Sequence, residues 1–292
     1  MAKFDIYQMV TDRILNDLKN GTVPWEKPWT NTTGNTVARS HNDGRVYSLL
    51  NQMLLGIPGE YATFTQVNKE GGKVKKGAKQ SVVVFYKLIQ KKEKVTDDDG
   101  NEEETAGRKI PILRYSGVFH LDDTEGIKPK YVKSAGLNAD NHTIDEIDAV
   151  VADYLNRSGV VLRHYEQDSA FYNTKSHEVI MPKLGQFGNS EAYYASLFHE
   201  LGHSTGKALG RDMSGQKEKY SREELVAEIT SSVLCNHFGI DSAKLERNTS
   251  SYIKGWLKPL QDDPKMVVWA ANRAEKAVNL ILNITKTNEE DE

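Results

Sequence analysis

Apolar residues recur at helical spacing from the start of the chain. Phe4, Ile6, Tyr7, Val10, Ile14, Leu15 and Leu18 line one side of a helix predicted over 3–20, which Gly21 ends. The next segment, Val23-Pro24-Trp25-Glu26-Lys27-Pro28-Trp29, holds two Pro-Trp pairs and predicts extended chain that presents aromatics. Tyr47, Leu50, Met53 and Leu54 predict a second helix over 46–56. Residues 60–67 and 81–89 read as strands, the second rich in β-branched and aromatic residues. Residues 110–121 read as a strand that returns to it. Between these last two lies a charged insert, 91–109, with six acids among residues 97–104, which reads as a disordered hairpin tip. Polar, Gly- and Pro-bearing residues 122–142 read as a linker.

The second half opens with a helix near 143–158 and a strand at 160–165. Ala170–Tyr172 and Glu178–Met181 predict a hairpin around Asn173–His177. Two helices follow, over 189–206 and 221–237. A final helix over 264–286 is carried by Met266, Val267, Trp269, Ala270, Ala274, Ala277, Ile281 and Leu282. No internal repeat is present. The pattern is that of an α+β protein of two domains, 1–125 and 143–292, joined by 126–142.

Composition narrows the class. A chain of 292 residues with 38% hydrophobic content can build more than one core. No stretch has the length and apolarity of a membrane span or a secretion signal. The single cysteine, Cys235, excludes an internal disulfide and a CxxC site, and fits a cytoplasmic, reducing setting. Residues 1–95 carry 15 Lys/Arg and 8 Asp/Glu, whereas the whole chain has a net charge of −3. A basic N-terminal part on an acidic remainder points to a polyanion-binding module joined to something else.

The second half supplies the chemistry. His199-Glu200-Leu201-Gly202-His203 is an HExxH sequence. Residues four apart share a helix face, so His199 and His203 can offer two imidazole nitrogens to one metal ion. Glu200 sits beside them, where it can take a proton from a water that the ion polarises. Asn189-Ser190 can cap this helix, and Gly206 suits its end. Two histidines need a third ligand. The longer HExxHxxGxxH pattern is excluded, because Leu209 stands at its last position. Glu224 and Glu228 share a face of the following helix. In one reading Glu224 binds the metal and Glu228 supports a histidine. In the other, Ser221-x-x-Glu224 is a capping box and Glu228 is the ligand. Glu223 reads as a solvated charge. Zinc is the expected ion, with another divalent metal as the alternative. His237 and Tyr220, on or near the second helix, are candidates to steady an oxyanion.

The chain resembles the ArdC antirestriction family. The resemblance rests on Val23–Trp29, Tyr47-Ser-Leu-Leu-Asn51, Thr63-Phe-Thr-Gln66, Gly72–Gly77, Val84–Lys87, Tyr193-Tyr-Ala, His199–Gly206 and Glu223–Glu228. It implies an N-terminal single-stranded-DNA-binding domain and a C-terminal zincin-like metallopeptidase domain. It also implies a role in protecting incoming DNA of a mobile element from host restriction. Two departures stand out. The family usually has Tyr-Arg-Gly-Ile-Asn where this chain has Tyr47–Asn51, and commonly Trp where it has Tyr61-Ala62.

Single-strand binding needs cations and aromatic faces on which bases stack. The candidates are Trp25, Trp29, Tyr47, Tyr61 and Tyr86, the amide of Asn51, and Lys73, Lys75, Lys76 and Lys79 in the Gly/Lys-rich stretch 69–79. The expected partners are single-stranded DNA and a protein or peptide substrate, with no membrane. Two competing readings remain: a zincin part that only docks, and a peptidase whose basic part recognises protein.

Overall fold

The computed structural model describes residues 5–25, 37–96, 102–131, 144–213, 217–240 and 249–285. In chain order the elements are α1 (Ile6–Lys19), β1 (Ala38–Ser40), α2 (Leu49–Leu55), β2 (Gly59–Ala62), α3 (Phe64–Lys69), β3 (Lys73–Val74), β4 (Ser81–Thr96), β5 (Glu102–His120) and β6 (Thr124–Glu125). The second half holds α4 (Ile144–Ser158), β7 (Val161–Tyr165), β8 (Phe171–Asn173), β9 (Glu178–Pro182), α5 (Ser190–Ala208), α6 (Lys217–His237), α7 (Thr249–Asp262) and α8 (Met266–Ile281). Helices and sheets are both present, as the α+β expectation required.

Three sheets form. The largest runs β1-β2-β5-β4, with β1 and β2 parallel and the rest antiparallel. β3 pairs with β6. The third runs β7-β9-β8, so β9 is central, parallel to β7 and antiparallel to β8.

Several expectations need correction. The strand expected over 60–67 stops at Ala62, and Thr63 starts α3 instead. Thr63 and Gln66 form a full capping box, in which each side chain bonds the other's backbone N–H. The charged insert is not a disordered tip throughout. β4 and β5 pair from Ser81↔Val118 out to Thr96↔Glu102, with one irregularity between Gln90 and Lys92. The first part of the polar stretch 122–142 is structured, since β6 lies within it and the backbone N–H groups of Lys130 and Tyr131 donate to Glu60. Residues 132–142 lie outside the described residues. α7 was not expected. Gly255 and Pro259, both poor in helix interiors, blur its apolar stripe of Ile253, Trp256 and Leu260.

The two halves share one core. Val10, Ile14 and Leu18 of α1, Leu50 and Met53 of α2, and Val84 and Leu113 of the hairpin pack with Leu225 and Ile229 of α6 and Met266–Ala274 of α8. A second core lies within the C-terminal half, between α4, the β7-β9-β8 sheet and α5. Cys235 is buried there. Among the described residues, no helix is long and apolar enough to cross a membrane.

Candidate metal centre and nucleic-acid surface

α5 carries the HExxH sequence. Asn189 caps it by accepting the Ala192 N–H. α6 crosses it closely at Gly202, where a Cβ would sit 3.1 Å from the Ala227 Cα and 3.2 Å from the Thr230 Cβ. A glycine here lets the two backbones approach, and that approach brings the acids of α6 to the histidines of α5.

Three side chains converge. His199 Nε2 and His203 Nε2 are 3.2 Å apart. Glu224 places Oε2 3.4 Å from the first nitrogen and Oε1 3.4 Å from the second. Tetrahedral zinc with bonds of about 2.0–2.1 Å sets its ligands roughly 3.3–3.4 Å apart, so this triangle fits such an ion. The donor chemistry fits too: two imidazole nitrogens facing each other repel unless a proton or cation lies between them. Among the described residues this is the one cluster of at least three His, Cys or acid groups with metal-binding spacing.

The outer nitrogens are held as well. His199 Nδ1 lies 3.6 Å from Glu228 Oε2, and His203 Nδ1 lies 3.4 Å from Glu223 Oε1. Glu228 therefore faces the outer ring edge of His199, away from the triangle. The capping-box alternative for Glu224 also fails, because α6 starts at Lys217 and Ser221 is inside it.

Glu223 is not a solvated charge. It is 5% exposed and bonds Arg211 through both oxygens, at 2.8 and 3.0 Å. Arg211 also donates to Thr205 Oγ1 and the Gly202 carbonyl, which ties it to α5. Sequence reasoning missed this pair because its cation lies in the turn after α5, in no recognisable pattern.

Burial alone would depress the His199 imidazole, but Glu224 and Glu228 outweigh it and push the ring up to about 10. Glu223 and Glu224 likewise overcome burial to raise His203. Against the opposing effect of burial, the two histidines hold the Glu224 carboxyl well below the usual carboxylate range. Glu200 goes the other way: burial raises it, although both histidines and the Tyr172 backbone N–H favour the charged form. A carboxyl so raised is suited to accept and release a proton. Tyr172 belongs to β8, so the strand beside Glu200 is this edge strand. β9, the strand just before the metal helix, is paired on both sides.

His237 cannot serve as the oxyanion helper. It lies thirteen residues beyond Glu224 on the same helix, about 20 Å at 1.5 Å per residue. The side chain of Tyr220 lies outside the described residues.

The candidate DNA contacts divide. Trp25 is fully buried, donates its indole N–H to Tyr252 Oη and stands edge-on to Trp256, so it has no face for a base. Asn51 is buried and bonds both the N–H and the carbonyl of Val84, which ties α2 to β4. Tyr61 is buried and donates to the Ile57 carbonyl. These three are corrected from DNA contacts to core. Tyr47 is half-buried, edge-on to Tyr61. Trp29 lies outside the described residues. Lys73, Lys75, Lys76 and Lys79 are all exposed, with Lys75 donating to the Asp122 carbonyl. The hairpin carries the candidate Tyr86 and adds Phe85, which the sequence pattern did not single out. Phe85 is 48% exposed and sits directly across from exposed Arg114; on the opposite face, Tyr86 is 50% exposed.

Comparison with known proteins places both halves. Residues 4–119 match the N-terminal domain of the anti-restriction factor ArdC, and residues 149–273 match a zincin-like metallopeptidase family. The crystal structure of the antirestriction ArdC protein from plasmid R388, in its Mn(II)-bound form, aligns with a TM-score of 0.71 and 30% identity, covering 96% of this chain and 98% of that one. Its metal-free form aligns with a TM-score of 0.70 and 31% identity, covering 97% of this chain and all of that one. The chain belongs to the ArdC antirestriction family. Two Escherichia coli proteins named DNA primase TraC are each 30% identical over 96% of the chain, which spans only 27% and 20% of their lengths.

Set against the ArdC pattern, the two departures fall in different surroundings. Ser48 is exposed, so an arginine there would reach solvent. Tyr61 and Ala62 are both buried, so an aromatic at either would fill core and not a DNA surface.

Proposed function

We propose that this ArdC-family chain binds single-stranded DNA through its N-terminal part and hydrolyses a peptide bond at the His199–Glu224 centre. The carrying observation is the donor triangle of 3.2, 3.4 and 3.4 Å, with a buried, raised carboxyl beside it. His199, His203 and Glu224 would hold zinc or another divalent ion; the Mn(II) seen in the plasmid R388 protein supports a divalent site. Such an ion, when bound, supplies a Lewis acid for a carbonyl and a water. Glu200 takes the proton of the attacking water at its carboxylate and passes it to the departing amine. Glu228 and Glu223 fix the ring orientations of His199 and His203 through Nδ1. The free edge of β8 lies beside Glu200 and can add an extended peptide as a fourth strand.

The DNA reading draws on the exposed lysines 73, 75, 76 and 79 with Phe85, Tyr86 and Arg114. Similarity to an antirestriction protein and to proteins named as DNA primases supports a module that works on DNA. We place this activity in the cytoplasm, on DNA arriving with a mobile element. Residues 1–125 supply the DNA-binding part, 126–142 the connection and 143–292 the peptidase part.

The test is Glu200→Gln in the full chain. Metal content should remain at the wild-type level, and hydrolysis of a casein or self-cleavage substrate should fall by about 10²–10⁴. Loss of metal in that variant contradicts the proton-transfer role. Equal hydrolysis in both proteins sinks the peptidase reading in favour of a docking role.

A further inference from the structure

The hairpin face that carries Tyr86 looks onto α8. Tyr86 shares that face with Val84, which packs in one core with α8, and it lies within the field of Tyr7 at the start of α1 and of Arg273. Arg273 stacks on Trp269, one turn earlier on α8, with its guanidinium carbon 3.9 Å from the ring centroid. Arg222 of α6 approaches the same ring at 5.9 Å.

The charges here are unbalanced. Arg222 is paired with Asp263 at 2.6 Å, and Arg211 with Glu223 at 2.8 Å. Arg273 has no ion-pair partner among the described residues, although Arg211 and Arg222 both act on it. Burial and these two neighbours depress its pKa, although Tyr86 and Glu223 act the other way. A half-buried guanidinium over an indole, without an ion-pair partner among the described residues and with the half-exposed Tyr86 nearby, offers a cation and an aromatic ring. Single-stranded nucleic acid supplies both needs, phosphates for the cation and bases for the rings. An acidic peptide supplies only the charge.

We propose that Trp269 and Arg273 of α8, facing Tyr86, form a nucleic-acid contact contributed by the zincin-like half, so that a bound strand spans both halves of the molecule. This inference rests on the DNA-binding reading above.

The experiment titrates a labelled oligo-dT with the full chain at several salt concentrations, for wild type, Arg273→Ala, Arg273→Lys and Trp269→Phe. Far-UV circular dichroism and metal content serve as folding controls. Arg273→Ala should weaken binding roughly five- to tenfold and reduce the slope of log K against log salt by about 0.7, the value for one phosphate on a single strand. Arg273→Lys should restore the slope but not the full affinity, because an ammonium does not stack as a guanidinium does. Trp269→Phe should weaken binding with an unchanged slope. Wild-type binding that all three variants share within twofold overturns the α8 contact and leaves the DNA reading standing. Poly-L-glutamate competing as well as oligo-dT at equal charge overturns the nucleic-acid assignment in favour of an acidic peptide. No binding by the wild type at low salt overturns the DNA reading itself.

Discussion

The metal centre and the β4–β5 hairpin both offer polar chemistry, but they are held in opposite ways. At the centre each group is fixed by another. The histidine Nε2 atoms meet Glu224, their Nδ1 atoms meet Glu228 and Glu223, and Glu223 is locked by Arg211. On the hairpin Phe85, Tyr86 and Arg114 stand on a ladder with side chains in solvent. The first arrangement suits a site that must hold an ion at fixed geometry. The second suits a partner whose bases arrive in no fixed order. On the proposed reading, rigidity follows the ligand: closed networks for a point charge, open aromatic faces for a polymer.

The largest expected break in this contrast is at the ligands. His203→Ala or Glu224→Ala should abolish stoichiometric metal binding, measured by elemental analysis after dialysis, while single-strand affinity stays within about twofold of wild type. Coupled loss of both would show that the two regions are not independent.

Glu223→Ala comes next. It leaves Arg211 as an unpaired buried cation, a change that costs about 3–5 kcal/mol. Thermal unfolding should shift down by several degrees, and metal affinity should fall by about 10–100-fold as His203 loses its outer partner. A variant with unchanged Tm and metal affinity would return Glu223 to the surface.

Asn51→Ala tests the hairpin side. It strands the Val84 N–H and carbonyl in the core, at about 1–3 kcal/mol for an unsatisfied group. Denaturant unfolding should report that loss, with DNA affinity per folded molecule unchanged. A selective loss of DNA binding would reinstate Asn51 as a contact.

The smallest effect is electrostatic. Burial would raise the Glu60 carboxyl, but His41 and the Lys130 and Tyr131 N–H groups bring it below its ordinary value. A carboxyl depressed in the folded state contributes stability above the ordinary carboxylate range, and that contribution is lost as pH falls through the folded value. Glu60→Gln should therefore flatten the acid limb of Tm against pH while lowering Tm at neutral pH.

These regions also differ in how far the sequence revealed them. His199, Glu200 and His203 were legible because helical spacing alone puts them together, whereas Glu224 stood open beside Glu228 until the crossing at Gly202 brought α6 to them. Arg211 was not, because a turn residue's partner depends on how two helices cross. Trp25 illustrates the deeper obstacle. An aromatic suits a base-stacking surface and a core equally well, and what decides is Tyr252, 227 positions along the chain. α3 was misread for a different reason: Thr63 and Gln66 carry a helix-start signal that the apolar run around them masks.

The common core of α1, α2, α6 and α8 has one more consequence. A cut in the backbone between residues 131 and 144 would leave two fragments, each carrying half of one apolar surface. Neither fragment could hide its half from water alone, so both depend on reunion to be soluble. Wherever this unit is spliced into a longer polypeptide, the two matched segments must travel as a pair.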